Sequence, residues 1–192
     1  QVLRDGNADP AVGAFVVTGN GRAFCAGADM SSFEASQTSG SSNGERGEEL
    51  NNEPFDPTYL ASSKPIIGAI NGAAVGMGLT WPLLFDVLVA STKARFSMRF
   101  AALGLTPELG STWILPKMIG VQRAREMMLT GKIYSAAEAE EFGLVHRVVP
   151  HEDLLPEAVT LAAEIAENPA PTLRTIKEMI WTDLVGTDFP QM

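Results

Sequence analysis

The chain has 192 residues, of which 45% are hydrophobic and 19% charged, and it carries a formal charge of −9. That length and apolar share support one domain with a sizeable core, whereas the acidic balance argues against a phosphate-backbone partner, because non-specific nucleic-acid affinity comes from Lys and Arg. No apolar run approaches the roughly 20 residues that a membrane-spanning helix needs.

Cys25 is the sole cysteine, so an intrachain disulfide and a cysteine-based metal cluster are excluded, and a reducing compartment, the cytoplasm, is the expected location. With two histidines, His146 and His151, a multi-histidine metal site is not expected either. The first residues, QVLRDG, show neither an initiator Met nor a signal-peptide pattern, so N-terminal residues, and any targeting segment with them, are expected to be missing.

In chain order, residues 14–18 (AFVVT) form a β-branched apolar run closed by Gly19-Asn20-Gly21, the pattern of a buried strand ending in a turn. Residues 22–30 (RAFCAGADM) return as a brief strand and a second small-residue turn, with Asp29 placed as a helix cap. Residues 31–57 are rich in Ser, Gly, Asn and Glu and have too little apolar material to bury, which predicts a mobile loop, either a lid or a surface insertion.

Residues 64–80, KPIIGAINGAAVGMGLT, run from a buried strand (65–70) through closely spaced glycines into the start of a helix. Gly72, Gly76 and Gly78 let backbone approach a ligand closely, and a helix N-terminus directly afterwards offers unpaired N–H groups to negative charge. The stretch fits a ligand platform for an oxyanion, and equally a tight strand-to-helix turn inside an α/β core. A buried helix is predicted over 79–85 with Pro82 in its first turn, strands over 87–90 and within 95–100, and a loop at Thr106-Pro107-Glu108-Leu109-Gly110.

Helices follow at 111–119 and 121–129, separated by Gly120, and at 135–142, where Ser135 and Glu138 make a capping box and Gly143 a stop. A strand over 144–149 and helices over 154–167 and 172–181 complete the chain. Strands alternating with helices predict parallel β with α on the faces.

The motifs GNGRAFCAGADM, KPIIGAINGAAVGMG, FDVLVASTKARF and MIGVQRAREMMLTGKIYSAAEAEEFGLVHRVVP occur in the order and at the spacing of the crotonase superfamily, the enoyl-CoA hydratase/isomerase family, which the chain resembles from about residue 12 to residue 181. The resemblance implies an α/β spiral of ββα units, its N-terminal strands missing here, with a core over residues 1–120 and a helical C-terminal region over 121–192 that builds a homotrimer or a dimer of trimers. It implies an acyl-CoA thioester as substrate, coenzyme A entering only as part of it, with no prosthetic group. It also implies an oxyanion hole made by the N–H groups of Ala28 and Met77, each such donor being worth roughly 3 kcal/mol in a dry site. Cys25 and Ala26 fall in the segment that cradles the adenine, with Cys25 a packing residue rather than a nucleophile. Arg22 and Lys64 are candidates for the CoA phosphates or solvated surface charges.

A hydratase of this family has two glutamates where this chain has Thr80 and Phe100, and neither of these can act as a base. One acid remains, Glu108 in LGLTPELGSTW, where the resemblance to Δ3,Δ2-enoyl-CoA isomerases implies a lone proton-shuttling carboxylate. Phe100, Leu105 and Trp113 are candidates for the acyl pocket, or ordinary core residues. Isomerisation of a 3-enoyl-CoA is therefore the leading expectation. A crotonase-type hydrolase or dehalogenase and a non-catalytic binding protein are the alternatives, and the acyl chain is left open.

Overall fold

The computed structural model describes residues 1–27 and 57–185. In chain order these form α1 (Val2–Ala8), β1 (Phe15–Thr18), β2 (Ala23–Cys25), α2 (Pro57–Ser62), β3 (Ile66–Ile70), β4 (Ala73–Val75) and α3 (Met77–Thr80), then β5 (Val87–Ser91) and β6 (Arg95–Ser97). There follow α4 (Ser111–Ile119), α5 (Val121–Thr130), β7 (Tyr134–Ser135), α6 (Ala136–Phe142), β8 (Arg147–Val149), α7 (Leu154–Ala166) and α8 (Ala170–Val185).

Two four-stranded sheets result, ordered β1-β3-β5-β8 and β2-β4-β6-β7, all pairings parallel except β6 with β7. The first three strand pairs each give their first member to one sheet and their second to the other, and the last pair reverses the order, β7 joining the second sheet and β8 the first. This is the spiral of strand pairs that the motifs imply, and the α/β class is as expected.

Burial explains why β3 reads as a continuous apolar run. Ile66 and Ile70 face the main core with Leu88, Phe96 and Leu115, while Ile67 and Ala69 face Leu154, Ala158 and Ala162 of α7 on the other side. A strand covered on both faces needs no polar alternation. The α7 contacts fall at i, i+4 and i+8, one helical stripe, and each fully buried Ile contributes about 1.5–3 kcal/mol.

Local signals decide most helix ends. Ser135 accepts the Glu138 N–H and the Glu138 carboxylate accepts the Ser135 N–H, so the capping box is formed, and Gly143 closes α6 at φ 79°. The helix predicted over 79–85 is instead two pieces: α3 ends at Thr80, and Pro82 opens a separate 3₁₀ turn, Pro82–Leu84. A proline lacks the N–H that would continue an α-helix through this point. At the C-terminal end, α8 starts at Ala170 and runs to Val185, beyond the predicted 172–181, because Pro171 occupies its first turn, where a missing N–H costs nothing. No helix among the described residues is long and apolar enough to cross a membrane.

Candidate active site

The glycine-rich stretch folds as a strand-turn-helix. β4 is followed by Gly76, which adopts φ 56°, ψ −124° and donates its N–H to Ser97 O at 3.0 Å. An L side chain rarely takes that conformation. The reversal makes Met77 the first residue of α3, where its N–H has no acceptor within the helix. Next to it, a Cβ on Gly78 would lie 2.0 Å from the Cys25 carbonyl oxygen, so α3 and the end of β2 are in backbone contact. A cavity of about 190 Å³ opens at this junction, lined by Val17, Thr18, Phe24, Cys25, Met77 and Trp81. Thus Cys25 and Met77, 52 positions apart in sequence, share one wall. Phe24 and Trp81 join them there, aromatic residues that the motif reading passed over because each sits in a short apolar run.

Thr80 and Phe100, where the resemblance implies that a hydratase would carry its two acids, are both engaged in packing. Thr80 is fully buried, and its hydroxyl turns back to Met77 O at 3.4 Å. Phe100 is 7% exposed, and its ring edge would lie 3.8 Å from a Cβ on Gly76, immediately before the Met77 N–H. From Phe100 the chain makes a 3₁₀ turn, Ala101–Leu103, and hooks back so that the Leu105 N–H donates to Phe100 O at 3.0 Å.

Glu108 follows three residues later, within roughly 11 Å of the Leu105 Cα by the reach of three residues. It sits at the start of a tight reversal: Ser111 N–H donates to Glu108 O at 3.0 Å, and both residues between, Leu109 at φ 54° and Gly110 at φ 67°, are left-handed. Leu109 is the one non-glycine with positive φ among the described residues, and its side chain packs against the main core, which holds the costly conformation. The Glu108 side chain forms no hydrogen bond or ion pair among the described residues. Partial burial raises its carboxyl above the usual glutamate value, desolvation being the cause.

Other predicted residues are placed as follows. Leu105 and Trp113 pack against the main core, and Lys117 Nζ lies 4.8 Å from the centroid of the Trp113 ring. Arg22 and Ala26 are exposed on either side of β2. Lys64 has a structural use: its ammonium donates to Gly6 O at 2.8 Å and Asp9 O at 2.5 Å, capping the end of α1. It lines a different cleft, of about 450 Å³, with Asn7, Tyr59 and Arg174, so the structure does not gather it with Met77. His151 Nδ1 lies 3.3 Å from Ser91 Oγ, and His146 is exposed beside Arg147. Ala28 and Asp29 lie outside the described residues, as does the predicted loop except for Pro57.

Fold and motif order together define a crotonase-type spiral, and comparison with known proteins agrees. A model of the family described as enoyl-CoA hydratase/isomerase matches residues 1–190. The chain is 35% identical over 180 residues to 1,2-epoxyphenylacetyl-CoA isomerase of Escherichia coli K12, covering 94% of this chain and 69% of that protein. It is 37% identical over 180 residues to a putative enoyl-CoA hydratase of Thermus thermophilus, covering 94% and 70%. Among solved structures it is similar to a probable enoyl-CoA hydratase/isomerase from Mycobacterium abscessus, with a TM-score of 0.83 and 39% identity over 98% of this chain and 71% of that one. It is also similar to a monofunctional enoyl CoA isomerase from M. smegmatis, with a TM-score of 0.77 and 34% identity over 98% and 79%. The chain belongs to the enoyl-CoA hydratase/isomerase family of the crotonase superfamily. It spans about two thirds of the length of the two curated relatives named above.

Proposed function

We propose that the protein is an acyl-CoA double-bond isomerase that moves a 3-enoyl-CoA double bond to the 2-position, with Glu108 carrying the proton. One observation carries this reading: Thr80 and Phe100 leave no base where a hydratase needs two, while Glu108 is a half-buried carboxylate with no partner among the described residues. A carboxylate without fixed donors is free to take and return a proton, and desolvation makes it a better base.

In this scheme the Glu108 carboxylate removes a proton from C2. The electron pair of that C–H bond moves into the thioester, forming a dienolate whose oxygen accepts from the N–H groups of Met77 and Ala28. Collapse of the dienolate makes the C2–C3 double bond, the C3–C4 π pair takes the proton back from Glu108 at C4, and the carbonyl re-forms. Atoms balance without water or a second reagent, and coenzyme A takes part only as the thioester carrier. Assembly as a homotrimer or dimer of trimers belongs to the same proposal. It is supported by Ile176, Met179 and Ile180, exposed along one face of α8.

The test is conversion of a 3-enoyl-CoA to the conjugated 2-enoyl-CoA, followed by absorbance, together with exchange of the C2 proton in heavy water. Wild-type protein is expected to do both and Glu108→Gln neither; isomerisation by Glu108→Gln at the wild-type rate would end the shuttle role. Hydration of a 2-enoyl-CoA is expected to be absent. The relative named 1,2-epoxyphenylacetyl-CoA isomerase supports a second reading, in which the same platform and acid serve a different acyl-CoA isomerisation. Turnover of that epoxide with no turnover of 3-enoyl-CoA would favour it.

A further inference from the structure

Three short turns carry the chain directly from the first sheet to the second, at residues 19–22, 71–72 and 92–94, and Asn71, in the second turn, bonds to the first turn and to Ser91 at the start of the third. Its Oδ1 accepts the Gly19 N–H at 3.1 Å, and its Nδ2 donates to Gly21 O at 2.9 Å and Ala23 O at 3.3 Å. Its main-chain oxygen accepts Ser91 Oγ–H at 3.0 Å. The amide orientation follows from chemistry: reversed, it would set its NH₂ against the Gly19 N–H and its oxygen against two carbonyls. The residue is 7% exposed, so these bonds are made away from competing water.

Close backbone approaches flank β2 on both sides. A Cβ on Gly72 would lie 2.0 Å from Arg22 O, and one on Gly78 would lie 2.0 Å from Cys25 O. The first crossing is therefore clamped at its entry to β2 by Asn71 and Gly72, and β2 is clamped at its exit by α3. Between the clamps lie only Ala23–Cys25, whose pairing with β4 shifts register between Ala23 and Cys25. A strand this short has no ladder long enough to fix its own position.

We propose that Asn71 is a positioning residue for the oxyanion platform: by fixing the first crossing, it sets where the end of β2 meets the N-terminal N–H of Met77. The proposal rests on the platform reading above. It assigns a role to a polar side chain within an otherwise apolar stretch, residues 69–74, AINGAA. Misplacing reacting groups by about 1 Å costs on the order of 10²-fold in rate, so a side chain that touches no substrate can still govern the chemical step.

The test uses acetoacetyl-CoA, a thioester whose enolate has its own near-ultraviolet absorption, and so reads oxyanion stabilisation without requiring turnover. Wild-type protein is expected to raise the enolate fraction. Asn71→Ala is expected to weaken enolate binding by about tenfold or more while leaving affinity for a saturated acyl-CoA within about threefold, and to lower kcat rather than raise KM. Asn71→Asp, nearly isosteric, keeps the acceptor for Gly19 but turns an oxygen toward Gly21 and Ala23. Its enolate binding relative to wild type is expected to recover as pH falls and the carboxyl regains a donor. Ser91→Ala loosens the third crossing alone and is expected to leave enolate binding within about threefold of wild type.

Folded Asn71 variants with wild-type enolate binding would overturn the proposal and leave the platform standing. So would a failure of both variants to fold, which would make Asn71 a stability residue. No enolate signal from the wild type would overturn the platform reading itself, and this inference with it.

Discussion

Asp86 and Glu108 are both carboxyls that burial raises above the ordinary carboxylate range, yet their surroundings differ. Asp86 Oδ2 receives Lys177 Nζ and the Ile66 N–H, each at 2.7 Å, and the same ammonium donates to Ser63 Oγ at 3.3 Å and Lys64 O at 3.2 Å. The Lys177 side chain is 7% exposed and that of Asp86 22%. Desolvation pushes the lysine down as it pushes the aspartate up, and the attraction between the two opposes both shifts. The pair fastens α8 to the start of β3 in one arrangement. Glu108 has desolvation alone as the cause of its shift. A raised pKa thus marks burial in both places, and what separates the two acids is that, among the described residues, Asp86 has fixed donors and Glu108 has none.

The sharpest break of this comparison is a pair of amide substitutions. Glu108→Gln is expected to lower kcat for 3-enoyl-CoA isomerisation by about 10²–10⁴-fold, the range for loss of a general base, with urea unfolding almost unchanged. Asp86→Asn is expected to do the reverse, keeping kcat per folded molecule within about threefold while the unfolding midpoint falls.

The fastening side is isolated by removing the cation. Lys177→Met strands Asp86 without its main partner and is expected to cost about 3 kcal/mol, at the low end for breaking a buried pair because Asp86 retains some solvent. Adding Asp86→Asn to Lys177→Met is expected to restore most of that loss, since two neutral groups need no pairing. Chemical denaturation of the three proteins measures it, and a double variant as weak as the single one would mean that the charges themselves hold α8.

A smaller effect comes from pH. In the proposed reaction isomerisation begins with the Glu108 carboxylate, so kcat/KM is expected to fall as pH drops through the raised value, on an acid limb lying above the ordinary glutamate pKa of 4.5. A limb at or below that value would place the carboxyl in water and weaken its contrast with an ordinary surface acid.

How much of this is legible in the chain depends on range. β1, β3 and β5 announce themselves as unbroken apolar runs because they are covered on both faces. β4 escapes notice: Ala73–Val75 lies between glycines and is a strand only through its partners β2 and β6. α1, VLRDGNA, has no buried residue and hence no apolar stripe to read. Glu108 stands out by resemblance, since a lone loop acid has no periodicity or spacing of its own. The rest of the site depends on separation: Phe100 against Gly76, Asn71 reaching Gly19, and Lys177 reaching Asp86 across 91 positions are products of the spiral. Lys64 is a further case: its ammonium donates to carbonyls 55 and 58 residues away, a use that no local pattern announces.

The finest test of the contrast is thermodynamic and concerns Glu108 alone. Its native carboxyl binds a proton more tightly than the unfolded one, so between the ordinary and the raised pKa the native state holds more protons. Stability then falls as pH rises through that window, because unfolding releases the carboxylate into water. The benefit of the protonated form is complete below the ordinary value of 4.5 and is lost once the raised value is passed. Glu108→Gln removes the titration. It is therefore expected to unfold like the wild type at acid pH and to be slightly more stable at neutral pH, by less than about 1 kcal/mol because solvent still screens a half-exposed group. Denaturation of both proteins at several pH values measures the difference. A variant less stable than wild type at neutral pH would show that the carboxylate is held by donors, making Glu108 a second Asp86 and removing its freedom to move a proton.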